Sequence, residues 1–362
     1  MPATTHIRLR RGLVAVAAAV AAALTAYAAA HAFTPTPTPT AASLAPRSGT
    51  TASATTAPFA AERSAAAVRT MTITYTAHTG AERSATVLAP LAYDGTQLPL
   101  VISPHGRGGS GAANAALWGS LPTAGNFVVV NPDGAGDRLE RFSWGAQGQV
   151  RDLARMPEIV ERELPWLRID RHRIYAFGGS MGGQETLLLV AGHPELLAGA
   201  AAFDSLVDFP HQYAQFPRLA CKAPCSGWGG SLGRTLQRLA RTEVGGTPAG
   251  APGEYAARSP IAHAREIAAS GVPLQLWWST EDRIVVDSST QSGALLEALR
   301  REGPTASVLA FEGTWAHTHE MRASALLPHA LAQFGLMPAN YLRLPTGAAV
   351  ESVVAAVSTA CV

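Results

Sequence analysis

The sequence predicts an α/β fold, in which a mostly parallel sheet of eight strands is covered by helices on both faces. Two observations predict it. Short apolar, β-branched runs alternate with longer helical patterns, and the central runs have the near-continuous apolar character of strands buried on both faces. The predicted strands cover residues 70–76, 84–88, 98–103, 127–131, 173–177, 200–203, 272–278 and 306–311, the first two as an antiparallel pair. The predicted helices cover residues 153–164, 182–191, 292–301 and 320–334.

One stretch, residues 205–260, interrupts this alternation. It is rich in proline, glycine and aromatic residues and carries Cys221 and Cys225. Because α/β folds bind ligands at the carboxyl ends of their strands, we expect a lid-like insertion over that edge of the sheet. The main domain is expected to span residues 69–338. The tail, residues 339–362, has a weak pattern and is expected to dock loosely.

The N-terminus has the pattern of an export signal. A basic stretch is followed by the alanine-rich apolar run 12–30 and by small residues at Ala30 and Ala32, which indicates a signal peptide over residues 1–32. Residues 33–68, rich in Pro, Thr and Ala, are expected to form a disordered linker. We therefore expect a secreted protein that leaves the membrane after signal cleavage. An uncleaved membrane anchor is the alternative.

The charge balance and the cysteines narrow the possible partners. The chain has 28 basic and 26 acidic residues, so its net charge of +2 gives no reason to expect nucleic acid as a partner. Outside the cell, Cys221 and Cys225 are expected to form a local disulfide, and Cys361 is left over. A zinc site is the rival interpretation, but no third Cys or His lies near these two in the sequence.

Gly178-x-Ser180-x-Gly182 is the most informative motif. It follows a predicted strand and opens an apolar helix. A nucleophilic serine on such a sharp strand-to-helix turn needs glycine two residues before and two residues after it, because larger side chains would clash. The N–H of Met181, at the start of the helix, can stabilise a developing oxyanion. Ser180 is therefore the candidate nucleophile, and a structural serine in a glycine-rich helix entry is the alternative.

On these residues, from about Met71 to Phe334, the chain resembles the α/β-hydrolase superfamily. It resembles in particular the secreted bacterial esterases and the prolyl-oligopeptidase-like hydrolases. The resemblance implies an α/β-hydrolase fold and a serine, acid, histidine order along the chain. It places the acid at Asp282, after the strand 272–278, and Asp204 is a rival position used by some members.

The same resemblance places the base after the last predicted strand. Two histidines lie there, in Gly313-Thr-Trp-Ala-His-Thr-His-Glu-Met321. His317 matches the W-x-H spacing of this branch and is favoured over His319, which would enter the following helix. The segment lacks the Gly-His-Gly of many relatives, so both histidines stay open.

A second glycine-rich loop follows the strand 98–103 and reads His-Gly-Arg-Gly-Gly over residues 105–109. It resembles the oxyanion loop of the family, which implies that the backbone N–H of Arg107 is the second oxyanion donor beside that of Met181. The spacing Gly106-x-Gly108-x-x-Gly111 also fits a dinucleotide-binding loop, with Asp133 as the ribose-binding acid. That alternative leaves Ser180 unexplained in an exported protein.

These features lead to one expected function and two rivals. We expect a secreted carboxylic-ester hydrolase that needs no cofactor or metal and acts on a small-molecule or polymer-borne ester, with Trp144 as a candidate wall of the substrate pocket. A serine peptidase of the prolyl-oligopeptidase type is the first rival. Such enzymes usually carry a propeller domain before the hydrolase domain, for which residues 1–68 are too few. The second rival is an inactive hydrolase fold that serves as a binding module.

Overall fold

A computed structural model describes residues 68–219, 229–286, 288–344 and 350–355. Among these residues, nine strands form a single sheet in the order β1-β2-β4-β3-β5-β6-β7-β8-β9. The strands are β1 Val68–Thr76, β2 Glu82–Pro90, β3 Leu98–Ile102, β4 Val128–Pro132, β5 Ile169–Gly179, β6 Gly199–Phe203, β7 Leu274–Ser279, β8 Val308–Gly313 and β9 Val350–Ala355. Strands β4, β3, β5, β6, β7 and β8 are parallel to one another, whereas β1, β2 and β9 make antiparallel pairs.

The helices pack on both faces of the sheet, as the sequence predicts. They are α1 Gly111–Ala115, α2 Leu121–Gly125, α3 Gln147–Ala154, α4 Met156–Glu163, α5 Met181–Gly192, α6 Phe209–Gln215, α7 Gly229–Val244, α8 Pro252–Ala257, α9 Ala264–Ala269, α10 Ser292–Glu302 and α11 Leu327–Gln333. One buried cluster joins the sheet to α3, α4, α5, α9 and α10, and a second joins the opposite face to α1, α2 and α11. Trp277 and Trp278, adjacent on β7, belong to different clusters because successive side chains of a strand point to opposite faces.

The eight predicted strands are all present, and the ninth is a difference. Strand β9 belongs to the tail, whose weak pattern predicted no strand, and it pairs antiparallel with β8 at the edge of the sheet. Without β9, β8 would present an open edge of unpaired backbone groups. The tail therefore contributes to the sheet rather than docking loosely.

Two predicted helices also differ from the structure, and a proline lies at each difference. The helix predicted over residues 153–164 is two helices, α3 and α4, with Pro157 in the first turn of the second. The final helix is confined to Leu327–Gln333, with Pro328 in its first turn, and residues 320–326 form turns instead. Proline suits a first helical turn because it lacks the amide hydrogen that an interior position requires.

Within the predicted insertion, the described residues are mostly helical and include α6, α7 and α8. They enclose a third buried cluster that contains Phe209, Phe216, Leu236 and Tyr255 together with Trp144 from the main domain. Residues 1–67 and the three cysteines, Cys221, Cys225 and Cys361, lie outside the described residues, so the expected signal peptide, linker and disulfide lie outside them as well. Across the described part of the chain, no helix combines the length and apolarity needed to cross a lipid bilayer.

Candidate active site

Ser180 lies at the junction between β5 and α5. Its backbone has φ 60° and ψ −122°, a conformation that side-chain-bearing residues rarely adopt. The turn is held from both sides, because Ser180 N donates to Phe203 O (2.8 Å) at the end of β6 and Gln184 N donates to Ser180 O (3.0 Å). Met181 is the first residue of α5, so its N–H has no acceptor within the helix. The turn therefore presents a hydroxyl and a backbone donor side by side.

The glycines around Ser180 are required by close packing. A Cβ on Gly178 would meet the backbone of Gly182, and a Cβ on Gly182 would lie 2.9 Å from the carbonyl carbon of Pro104 and closer still to its oxygen. A Cβ on Gly179 would lie 2.9 Å from Thr318 Cγ2, which belongs to the loop after β8. This turn, residues 178–182 with the candidate nucleophile, is called the nucleophile turn below; it is in contact with both the loop after β3 and the loop that carries the candidate histidines.

Asp282 and His317 form a hydrogen-bonded pair after β7 and β8. His317 Nδ1 lies 2.7 Å from Asp282 Oδ2, and Asp282 Oδ1 accepts from the backbone N–H groups of Ile284 (2.7 Å) and Val285 (3.1 Å). Because an ionised carboxylate can only accept, His317 Nδ1 carries the hydrogen and Nε2 has the free lone pair. Burial alone would lower the pKa of His317, but the negative charges of Asp282 and Asp204 and the hydrogen bond that His317 donates to Asp282 raise it overall.

The rival positions have different surroundings. Asp204 lies next to the same pair, but its oxygens accept from Ser279 N (2.8 Å), Thr318 N (2.7 Å) and Trp315 Nε1 (3.3 Å). His319 is exposed, and its backbone N–H donates to Ala316 O in a turn. Of the two candidate acids and two candidate bases, the structure brings Asp282 and His317 into direct hydrogen-bonding contact.

No hydrogen bond joins Ser180 Oγ to His317 Nε2 among those of the described residues. Catalytic hydrogen bonds are often long in the unliganded state and tighten when substrate binds. The two residues nevertheless face the same sheet edge, because Gly179 and Thr318, their respective neighbours, are packed against each other. The structure therefore places the turn of the candidate nucleophile against the loop of the candidate base.

His105 fixes the loop after β3. Its Nε2 accepts from Gly134 N (3.0 Å), so Nδ1 carries the hydrogen and donates to Gly106 O (2.6 Å). Burial lowers the pKa of His105 and so favours this neutral tautomer. Gly106 O also accepts from Gly109 N (3.0 Å). Because C=O and N–H point in opposite directions across a trans peptide, these bonds set the direction of the Arg107 N–H.

The residues of the dinucleotide-like pattern have other roles. Asp133 Oδ1 accepts a hydrogen bond from Gly111 N (2.6 Å) at the start of α1. One oxygen of the carboxylate that would bind a ribose is therefore already hydrogen-bonded to the protein. A Cβ on Gly111 would come within 3.0 Å of the carbonyl carbon of Asn131, so this glycine permits close packing of α1 on β4. The glycine spacing is explained by this packing and by the turn after β3.

Trp144 is a wall of the buried cluster under the insertion. Only 2% of it is exposed. Its ring stacks on Phe209 (5.5 Å between centroids) and meets Phe216 edge-on (5.6 Å). Its backbone N–H approaches Met181 Sδ (3.3 Å), so the cluster borders the nucleophile turn. Direct substrate contact by Trp144 stays a prediction.

Several buried ionisable groups near the site carry no sequence signal. Glu320, which follows His319 in the chain, is buried. Glu185 is buried as well; burial raises its pKa to about 7, and its carboxylate accepts a hydrogen bond from Ser143 Oγ. Farther along, buried Glu243 on α7 accepts from three consecutive backbone N–H groups and pairs with buried Arg258. These carboxylates look like ordinary helix or turn residues in the sequence, because only tertiary contacts bury them.

One group of side chains could, by proximity, hold a metal ion. Potential ligand atoms of Asp204, Asp282 and His317 lie within 4.8 Å of one another. The carboxylate oxygens of this group already accept hydrogen bonds from backbone and side-chain N–H groups, as described above. The arrangement therefore suits proton transfer better than ion coordination.

The comparisons with known proteins place the fold. No protein-family profile matches the chain, and no curated protein matches it by sequence. Solved structures do match: an acylaminoacyl peptidase of Pyrococcus horikoshii (17% identity, TM-score 0.53, 74% of this chain and 40% of that one) and a puromycin-hydrolyzing peptidase of Mycobacterium tuberculosis (20%, 0.55, 78% and 40%).

A fungal esterase of Rhizomucor miehei is similar as well, at 14% identity and a TM-score of 0.57, over 76% of this chain and 85% of the esterase. The chain therefore spans about two fifths of the length of those peptidases and most of the length of the esterase. At these identities the likeness concerns the fold. The predicted fold is confirmed: this chain has the α/β-hydrolase fold, with the strand order and helix placement described above.

Proposed function

We propose that this protein is a serine hydrolase that cleaves carboxylic esters through an acyl-enzyme intermediate. The observation that carries the proposal is the pairing of Asp282 with His317 beside a serine held at φ 60° on the strand-to-helix turn. A serine hydroxyl is a weak nucleophile until a base accepts its proton, and a carboxylate must hold the imidazole in the tautomer that leaves Nε2 free. These three groups supply those needs.

In the proposed reaction, His317 Nε2 takes the proton of Ser180 Oγ as the oxygen attacks the carbonyl carbon of the substrate. The negative charge on the carbonyl oxygen is stabilised by the backbone N–H groups of Met181 and Arg107. When the bond to the leaving alcohol breaks, His317 returns the proton to that alcohol. Water then repeats the sequence on the acyl-enzyme and releases the acid.

A labelling experiment tests the nucleophile. A fluorophosphonate probe should label the purified protein, and Ser180→Ala should abolish the labelling. Ser120→Ala is the matched control, because Ser120 is exposed and its side chain makes no capping hydrogen bond. Labelling that persists in Ser180→Ala would place the nucleophile elsewhere, and an unlabelled native protein would favour the inactive binding module.

The choice of substrate is tested separately. Nitrophenyl esters of increasing acyl length and polysaccharide esters should be hydrolysed. The alternative is a peptidase, which the two similar peptidase structures suggest. Proline-containing aminoacyl amides are the discriminating substrates, because an amine is a poorer leaving group than an alcohol and the same machinery must then protonate it. Turnover of these amides without turnover of esters would contradict the ester proposal.

We also propose that the protein acts outside the cell, which rests on the apolar run 12–30 and the small residues at Ala30 and Ala32. In an expression host, mature protein recovered from the medium should begin near Phe33. Retention of the full N-terminus in a membrane fraction would instead support the anchor.

Ellman titration of the secreted protein before and after reduction checks the Cys221–Cys225 disulfide.

A further inference from the structure

A second carboxylate lies beside the Asp282–His317 pair and has no part in the proposed proton transfer. Asp204 follows β6, is 2% exposed, and has a positive φ of 41°. Its carboxylate oxygen lies within 4.8 Å of the nearest ligand atoms of both Asp282 and His317. A buried charge in such a position is costly unless it is hydrogen-bonded, so its bonds indicate what it does.

The hydrogen bonds of Asp204 join the segments that carry the pair. One oxygen accepts from Ser279 N (2.8 Å), at the end of the strand that leads to Asp282. The other accepts from Thr318 N (2.7 Å) and Trp315 Nε1 (3.3 Å), on either side of His317. Thus a single carboxylate holds the turn of the acid and the loop of the base against the end of β6.

Glu320 is a third carboxylic acid in this cluster, next to Asp204. It is 1% exposed, and its carboxyl group lies close to that of Asp204. Burial, together with the nearby carboxylates of Asp204 and Asp282, raises the pKa of Glu320 well above its usual value, which favours its neutral form. Burial raises the pKa of Asp204 only to about 6, and the N–H groups that it accepts from favour its charged form.

Because His317 faces two carboxylates and one cation, its basicity depends on all three. Asp282 and Asp204 raise the pKa of the imidazole, and Arg107 lowers it. Glu320 adds no charge while it is protonated. Two negative charges rather than one therefore stabilise the imidazolium that forms during acyl transfer.

We propose that Asp204 is a positioning residue of this hydrolase, which fixes the His317 loop against the Asp282 turn and supplies the second negative charge that stabilises the His317 imidazolium. The inference rests on the proposed function. It predicts that Asp204 affects both the rate and the pH dependence of the reaction, although it does not touch the reacting atoms.

The test compares pH profiles of kcat/KM for the native protein, Asp204→Asn and Glu320→Gln. Asp204→Asn removes a negative charge that raises the pKa of His317, so the base stays unprotonated to lower pH. The acid limb of the profile should move down by about one pH unit, because a charge at 4–6 Å shifts a pKa by that order. The value of kcat should fall about tenfold, with KM changed less than about twofold, because one of the two acceptor oxygens that hold the turn and the loop becomes an NH2 donor. Glu320→Gln is the matched control: a neutral amide of similar size replaces an acid whose neutral form burial favours, so the acid limb should stay in place.

Four results would overturn the inference. One is an unmoved acid limb in Asp204→Asn, which would leave Asp204 a merely structural role. Another is an acid limb that moves equally in Glu320→Gln, which would mean that Glu320 is charged. A third is an inactive Asp204→Asn beside an active Asp282→Asn, which would make Asp204 the triad acid. If Asp204→Asn does not fold, Asp204→Glu keeps the charge but displaces it, and a native kcat in that variant would be the fourth.

Failure of the proposed function can be distinguished from failure of this inference. If the native protein is neither labelled by fluorophosphonate nor active on esters, the proposed function is wrong. If the native protein is active and loses labelling in Ser180→Ala, any failure in the Asp204 series concerns the positioning role alone.

Discussion

Replacing Gly182 by alanine tests the contact between the two sides of the proposed oxyanion hole. The new methyl group would be directed at the carbonyl group of Pro104, 2.9 Å from its carbon, and would lie 3.2 Å from His105 O. Real Cβ atoms do not approach backbone this closely, so the loop after β3 must move away from the nucleophile turn. Overpacking of this kind costs about 1–3 kcal/mol of stability.

The displaced loop contains the Gly106–Arg107 peptide, which supplies one of the two proposed oxyanion donors. A shift of about 1 Å in a catalytic group can reduce the rate about a hundredfold. We therefore expect Gly182→Ala to lower kcat on a nitrophenyl ester by about that factor and to lower the free energy of unfolding in urea by about 1–3 kcal/mol.

Gly192→Ala is the matched control. Gly192 ends the same helix, and a Cβ there would meet nothing within 4 Å. Its kcat should be native and its stability unchanged or up to about 1 kcal/mol higher, because alanine reduces the entropy of the unfolded chain. If the two variants have the same kcat and the same free energy of unfolding, the packing argument for the nucleophile turn is refuted.

Three further predictions follow from other contacts. The pKa of His317 is raised above its ordinary value of 6.5 by the two facing carboxylates, so the acid limb of native kcat/KM should lie above pH 6.5; a limb below that value would contradict the charge arrangement. Because His105 Nδ1 donates to Gly106 O, His105→Asn should retain more kcat than His105→Gln, which loses that donor position; the opposite order would indicate the other tautomer. Glu243→Gln should cost about 3–5 kcal/mol in urea unfolding, because it leaves buried Arg258 with less compensation, whereas the exposed partner variant Glu254→Gln should cost less than about 1 kcal/mol; equal losses would refute the difference in burial.

Much of the fold was predictable because its signals are local. Buried strands such as Leu98–Ile102 are continuous apolar runs, and helical patterns alternate with them, so the α/β class follows from periodicity. Strand β9 was not predictable in this way. It pairs with the edge of β8, and such pairing depends on a partner that is distant in sequence.

The candidate site divides in the same manner. Ser180 is predictable because a tight strand-to-helix turn imposes glycine at fixed positions on either side. The resemblance favoured Asp282 over Asp204 and His317 over His319, but the residues themselves left both choices open, because both members of each pair have suitable chemistry and lie after suitable strands. Only the hydrogen bonds between the loops after β6, β7 and β8 distinguish them.

The sequence by itself therefore determined the alternation of the first eight strands with helices, the position of the candidate nucleophile turn and the two glycine-rich loops. The tertiary structure alone decided which acid contacts which imidazole, which tautomer His105 adopts, and that Glu320 is buried beside Asp204. The physical reason is the range of the interactions. Backbone conformation and apolar periodicity are set by neighbours along the chain, whereas hydrogen-bond partners, burial and the resulting pKa shifts are set by segments that meet only when the sheet assembles.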